Sequence, residues 1–153
     1  MKRFIFILLM LPWALFGVEM NHQGIVTKVS NKNVNDTIGV IEQMVNKMKP
    51  KGMNLFAIID HQANAKNAGG AALDEAKLII FGNPSVGLNM LNYDPAVGLD
   101  LPLKVLVYKG KDGKVMVKYR DPKFFKNIYN VGDAKEAMKM SGALNKFTDE
   151  AIK

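Results

Sequence analysis

Residues Phe56 to Pro84 read FAIIDHQANAKNAGGAALDEAKLIIFGNP, and the order of signals within them decides the fold. Two apolar runs, Met53 to Asp60 and Lys77 to Phe81, each end in a short polar signature, Asp60-His61 in the first and Gly82-Asn83-Pro84 in the second. Both runs are more continuously apolar than alternating, the pattern of strands covered on both faces, so both are expected at the centre of a sheet. Between them, Gln62 to Ala68 is alanine-rich enough for a short helix that Gly69-Gly70 closes. Asn83-Pro84 opens a further helix, because Asn accepts from the free N–H groups of a first turn and Pro fits the first helical position. The crossover from Gln62 to Glu75 spans 14 residues, long enough for the two strands to pair in either direction.

Toward the amino terminus, Gly24 to Ser30 sets Ile25, Thr27 and Val29 against Val26 and Lys28, a first strand with one wetter face. Asn35 to Lys49 repeats Ile38, Ile41, Val45 and Met48 at helical spacing, with Asn35 or Asp36 as cap and Pro50-Lys51-Gly52 as stop. Toward the carboxyl terminus, Leu101 to Lys109 and Lys114 to Arg120 flank Gly110-Lys111-Asp112-Gly113 as a hairpin. Its second arm places Val115, Val117 and Tyr119 on one face and Lys114, Met116, Lys118 and Arg120 on the other. Asp133 and Glu136 are spaced as a capping box ahead of a stripe of Ala137, Met140, Leu144, Phe147 and Ala151. The order strand, helix, four strands, helix predicts a two-layer α+β domain, with a largely antiparallel sheet of about five strands and helices on one face.

The first 17 residues, MKRFIFILLMLPWALFG, have the charged-then-apolar order of a secretory leader, with cleavage expected after Gly17 and one domain over residues 18–153. The run from Phe4 to Leu15 is short for a bilayer span, so the expectation is a periplasmic or secreted protein with no stable membrane span once the leader is removed. Losing Lys2 and Arg3 lowers the formal charge from +7 to +5, 19 Lys and Arg against 14 Asp and Glu. What remains basic is almost all dispersed lysine, with Arg120 the last arginine, which argues against a nucleic-acid partner. The chain has no cysteine, which excludes disulfides and thiolate chemistry.

The segments FAIIDHQANAKNAG, KLIIFGNPSVG and DPAVGLDLPLKVLVYKGKDGKVMVKYRDP together resemble the bacterial family catalogued as domain of unknown function number three hundred and two. The resemblance covers about Gly24 to Pro122. It rests on His61, Ala65 and Gly69, on Phe81, Gly82, Asn83, Pro84 and Gly87, and on Leu101-Pro102-Leu103. The chain departs from the family pattern over Gly70 to Glu75, where many relatives carry a segment with Leu and Pro. The resemblance implies a fold similar to a single copy of the TATA-binding-protein-like fold, in agreement with the element order, and it brings no assigned reaction.

Four residues stand out as ligand-binding candidates. His61 lies where a strand gives way to a helical start, a position suited to proton transfer, to anion binding beside exposed N–H groups, or simply to ordering the junction. Asp60 is its neighbour, but adjacent strand residues point to opposite faces, which weakens a dyad. Asn83 joins His61 at one end of the sheet if the second and third strands run parallel; if they run antiparallel, it lies closer to Tyr119 and Asp121. Ser85 lacks the spacing of a nucleophile elbow, and Gly110 to Lys114 lacks that of a phosphate loop. Two histidines and no cysteine leave no zinc site of the usual kind, and no metal ligand or cofactor is assigned. Eight methionines remain after the leader, of which Met44, Met48 and Met140 fall on apolar helix stripes and read as core. These signals favour a non-catalytic module that binds a small molecule or a protein partner, with a homodimer left open. The alternatives are an enzyme using His61 as general acid or base on a small anionic substrate, and periplasmic metal handling.

Overall fold

Alternation along the strands sets the two faces of the sheet, and two long helices cover one of them. The structure, a computed structural model, describes residues 19–153, so the leader expected over residues 1–17 lies outside the described residues. The strands are β1 (Glu19–Met20), β2 (Ile25–Ser30), β3 (Asn54–Asp60), β4 (Ala76–Gly82), β5 (Leu103–Lys109) and β6 (Val115–Arg120). The helices are α1 (Val34–Lys47), α2 (His61–Asn67), α3 (Pro84–Tyr93) and α4 (Lys135–Ala151), with 3-10 turns at Lys49–Lys51, Pro95–Leu99 and Pro122–Asn127. From β2 to α4 the main order is the expected one, strand, helix, four strands, helix; the two-residue β1 is added by pairing Met20 with Val26.

The sheet runs β1-β2-β6-β5-β4-β3, and every neighbouring pair is antiparallel. The direction that crossover length left open is therefore settled: Asn54 lies opposite Gly82, and Asp60 lies opposite Lys77. The expectation that both apolar runs are central holds for β4, which β5 and β3 flank, and fails for β3, which forms an edge. The apolar character of β3 has another cause. Leu55 packs against the core, and the register slips between Leu55 and Ala57, so that Phe56 is an extra residue, 52% exposed.

Ile79 and Phe81 of β4, Val105 and Val107 of β5 and Val117 of β6 form the buried face. They meet Ile38, Ile41 and Val45 of α1 and Met140, Leu144 and Phe147 of α4, with the Phe81 and Phe147 rings 5.8 Å apart. The two faces of β2 differ in burial, as its alternation predicts. Val26, Lys28 and Ser30 are buried and Ile25, Thr27 and Val29 half-buried, because α4 supplies polar partners for Lys28.

Helix ends follow local chemistry. Asn33, not Asn35 or Asp36, caps α1 by accepting from the Asp36 N–H at 2.8 Å. The chain leaves α1 through its 3-10 turn and Gly52, whose φ of 85° is the left-handed conformation that glycine adopts without strain. The expected capping box of α4 does not form. Asp133 is drawn to Lys126 at 2.7 Å, and the helix begins at Lys135 without a side-chain cap.

Candidate functional site

Helix α3 is too apolar for what it buries. PSVGLNMLNY places Val86, Leu88, Met90, Leu91 and Tyr93 around the helix, yet only Met90 is fully buried, and Leu88 is left 58% exposed. A helix apolar on several faces needs cover on more than one side. The uncovered side of α3 forms one wall of a groove of about 770 Å³ at the end of the sheet where β3 begins, β4 ends and β5 begins. Phe56 of β3 also lines it, Met48 and Met53 come from the end of α1 and the start of β3, and Met140 and Ala143 come from α4. The volume lies in the range that takes up a small organic ligand.

Charge in this groove has one sign. Lys51, from the 3-10 turn after α1, and Lys139, from α4, are the charged side chains of its lining, and no Asp or Glu joins them. Neither lysine belongs to an ion pair among the described residues. Asn83 borders the groove with its amide already committed. Its Oδ1 accepts from the Ser85 N–H at 3.0 Å, and its Nδ2 donates to the Lys51 carbonyl at 3.0 Å. Asn83 thus caps α3 and also ties that helix to the turn that carries Lys51.

The other three candidates lie elsewhere. His61 is the exposed first residue of α2, at the opposite end of the sheet from Asn83, as the antiparallel pairing of β3 and β4 requires. Asp60 beside it is engaged by others: its Oδ1 accepts from the Ala63 N–H at 2.9 Å, and its Oδ2 pairs with Lys77 at 3.1 Å. The Ala63 hydrogen bond first, and Lys77 second, hold the Asp60 carboxyl below the usual carboxylate range. Tyr119 and Asp121 share Asn83's end of the sheet, but β5 separates their strand from β4. Tyr119 is buried and donates its hydroxyl to Asn145 Oδ1 at 2.6 Å, and burial pushes its phenol up to about 12. Asp121 is buried and caps the turn Pro122–Asn127, accepting from the Lys123 N–H at 2.9 Å. The structure therefore brings one of the four, Asn83, to the groove.

Sequence reasoning missed the groove because its walls come from elements far apart in the chain and each apolar residue reads singly as core. The signal that could have found it is the excess of apolar residues in α3 over what one helix face can bury. Lys28 was also missed. Its Nζ lies 2.6 Å from Asp149 Oδ1 and 2.7 Å from Thr148 Oγ1, and 5.6 Å from the centre of the Tyr119 ring. This cluster fastens α4 to β2 and β6. Among the described residues no three of His, Asp or Glu converge as metal ligands, and no helix is long and apolar enough to cross a membrane.

A protein named fluoride-specific ion channel FluC 1 from Brucella suis biovar 1 is 38% identical over 109 residues, covering 71% of this chain and 41% of that protein. The fluoride-specific ion channel FluC 1 of Brucella abortus biovar 1 matches at the same identity over 39% of its length. The chain thus spans about two fifths of the length of these curated relatives. A crystal structure of an uncharacterized conserved protein from Bacillus stearothermophilus superposes with a TM-score of 0.62 at 17% identity, covering 84% of this chain and 95% of that one, which shows a shared fold. The family described as Domain of unknown function DUF302 matches residues 25–150, the same family that the sequence motifs resemble, and the chain belongs to it.

Proposed function

We propose that this domain is a binding module for a small, largely apolar molecule taken up in the groove between α3, α4 and the start of β3, and that it catalyses no reaction itself. One observation carries the reading: a groove of about 770 Å³ whose lining is apolar except at Asn83 and two lysines. Leaving Phe56 and Leu88 half exposed costs hydrophobic free energy that an apolar ligand recovers. His61 stands apart from the groove and takes no part in this reading. The apolar leader supports export, so the ligand is expected to be met outside the cytoplasm. The test is titration with the neutral solvatochromic dye Nile red. Its emission is expected to shift to the blue with the wild-type protein and to stay near its aqueous value with Ala143→Trp, which fills the groove, and with Leu88→Asp, which alters an exposed position. No shift with the wild type, or the same shift in all three proteins, overturns the reading.

A second reading rests on the names of the Brucella relatives. They are fluoride-specific ion channels, the matched segment is about two fifths of their length, and the described residues here contain no helix able to cross a membrane. We infer that the domain works beside such a channel, as an accessory part or partner. Deleting it from a cell that keeps the channel is then expected to change the fluoride concentration at which growth stops. An unchanged threshold removes this reading.

A further inference from the structure

The groove carries a charge pattern that its apolar volume does not require. Its two charged side chains, Lys51 and Lys139, come from different elements and have the same sign, and neither forms an ion pair with a carboxylate among the described residues. Gly82, Asn83 and Pro84, at the start of α3, lie on the same lining, so the positive end of a ten-residue helix adds to the field of the two lysines. The rest of the lining suits a flexible chain. Met48, Met53 and Met140 are unbranched thioethers that adjust to an irregular shape, while Phe56 and Leu88 give fixed apolar area at a solvent-exposed position. A cationic ligand would meet two like charges. A wholly neutral one would leave both lysines unused.

We infer that the ligand is a single-chain anionic amphiphile, an acyl chain whose carboxylate or phosphate head is held by Lys51 and Lys139 while the chain lies against Phe56, Leu88 and Met140. This assignment rests on the groove being the ligand site. It commits to the dispersed amphiphile, not to a membrane surface. The amino groups of Lys51 and Lys139 donate to the head, and each buried methylene adds about fourfold in affinity.

The test is calorimetry on the full protein at low salt with octanoate, decanoate, decan-1-ol and decyltrimethylammonium, each below its aggregation limit. Decanoate is expected to bind about fifteenfold more tightly than octanoate, two methylenes apart. It is also expected to exceed decan-1-ol by about tenfold or more, with that margin shrinking as salt is added. The double variant Lys51→Gln, Lys139→Gln should bring decanoate down to the alcohol without changing the alcohol. Equal binding of decanoate and decan-1-ol overturns the anionic head while the apolar groove stands. Failure of all the probes overturns the groove as well. Absence of a chain-length dependence, or retention only on phosphatidylglycerol vesicles with no binding of monomers, also overturns the assignment. So does a concentration-dependent dimer that Leu88→Asp abolishes in a protein that binds no probe, because a second copy then occupies the groove.

Discussion

Lys28 and Asp149 form an ion pair whose two ends live in different solvents: the lysine side chain is 1% exposed and the aspartate 55%. Removing either partner should therefore cost different amounts. Asp149→Ala leaves a buried ammonium with only Thr148 and Asn145 as acceptors and is expected to destabilise by about 2–3 kcal/mol. Lys28→Met keeps the apolar stem, removes the buried charge and leaves Asp149 in water, and is expected to cost less than about 1 kcal/mol. Urea denaturation of the two variants decides it, and the reverse order would refute the account. The same contrast explains what the sequence could reveal about single residues. Asn83 reads correctly as a cap because its partner, Ser85 N–H, is two residues away; its second bond, to the Lys51 carbonyl, spans 32 residues and has no local sign. Lys28 reads as a solvated residue because its partners are more than a hundred residues away on α4. Two substitutions separate the roles of Asn83. Asn83→Ser keeps a capping oxygen and loses the tie to Lys51, at an expected cost of about 0.5–1 kcal/mol; Asn83→Ala loses both, at about 1–2 kcal/mol. Equal losses in thermal denaturation would mean that the tie to Lys51 is worth nothing.

Elements were more legible than sites, for a physical reason. Strand and helix periodicity is written by the core, and the core is continuous from Ile38 and Ile41 through Phe81 and Val107 to Leu144 and Phe147. The hairpin of β5 and β6, with the Gly110 N–H donating to the Lys114 carbonyl at 2.8 Å, follows from its glycine-flanked turn. What periodicity cannot separate is a central strand from an apolar edge strand, and β3 is an edge strand whose Phe56 lies on the groove. The start of α4 was misplaced for a different reason: the Asp133 carboxylate has a stronger partner in Lys126 than in the helix N–H groups. The same helix carries a buried hydroxyl, Ser141 Oγ, with no hydrogen-bond partner among the described residues. Ser141→Ala removes an unsatisfied polar atom and raises helix propensity, so it should stabilise the protein by about 0.5–1 kcal/mol. A loss of stability in the same denaturation assay would show that the hydroxyl has a partner after all.

At the scale of the whole molecule, two phenols tie segments distant in the chain together, and both resist ionisation. Tyr119, on β6, donates to Asn145 on α4. Tyr129, just beyond the turn Pro122–Asn127, donates to Asp100 Oδ2 at 2.7 Å, while Arg120 Nε holds Asp100 Oδ1 at 3.2 Å. Burial comes first in both cases, joined at Tyr129 by the hydrogen bond to Asp100, and both phenols are pushed up to about 12 from an ordinary value of 10.0. The folded state therefore holds these two protons more tightly than the unfolded chain does. The stability this represents is fully present below pH 10 and is lost as pH rises from 10 toward 12. Lys104 works in the opposite direction, since burial lowers its pKa and folding then favours the neutral amine. The wild-type curve thus mixes the two signs, and the phenols are isolated by comparing variants. Tyr119→Phe and Tyr129→Phe should each begin less stable at pH 8, through the lost hydrogen bond, and then lose less than the wild type between pH 9 and pH 11.5. The double variant should have the flattest denaturation midpoint of the set. Parallel curves for the wild type and the double variant would mean that the phenols titrate alike in the folded and unfolded chains, and would refute the account.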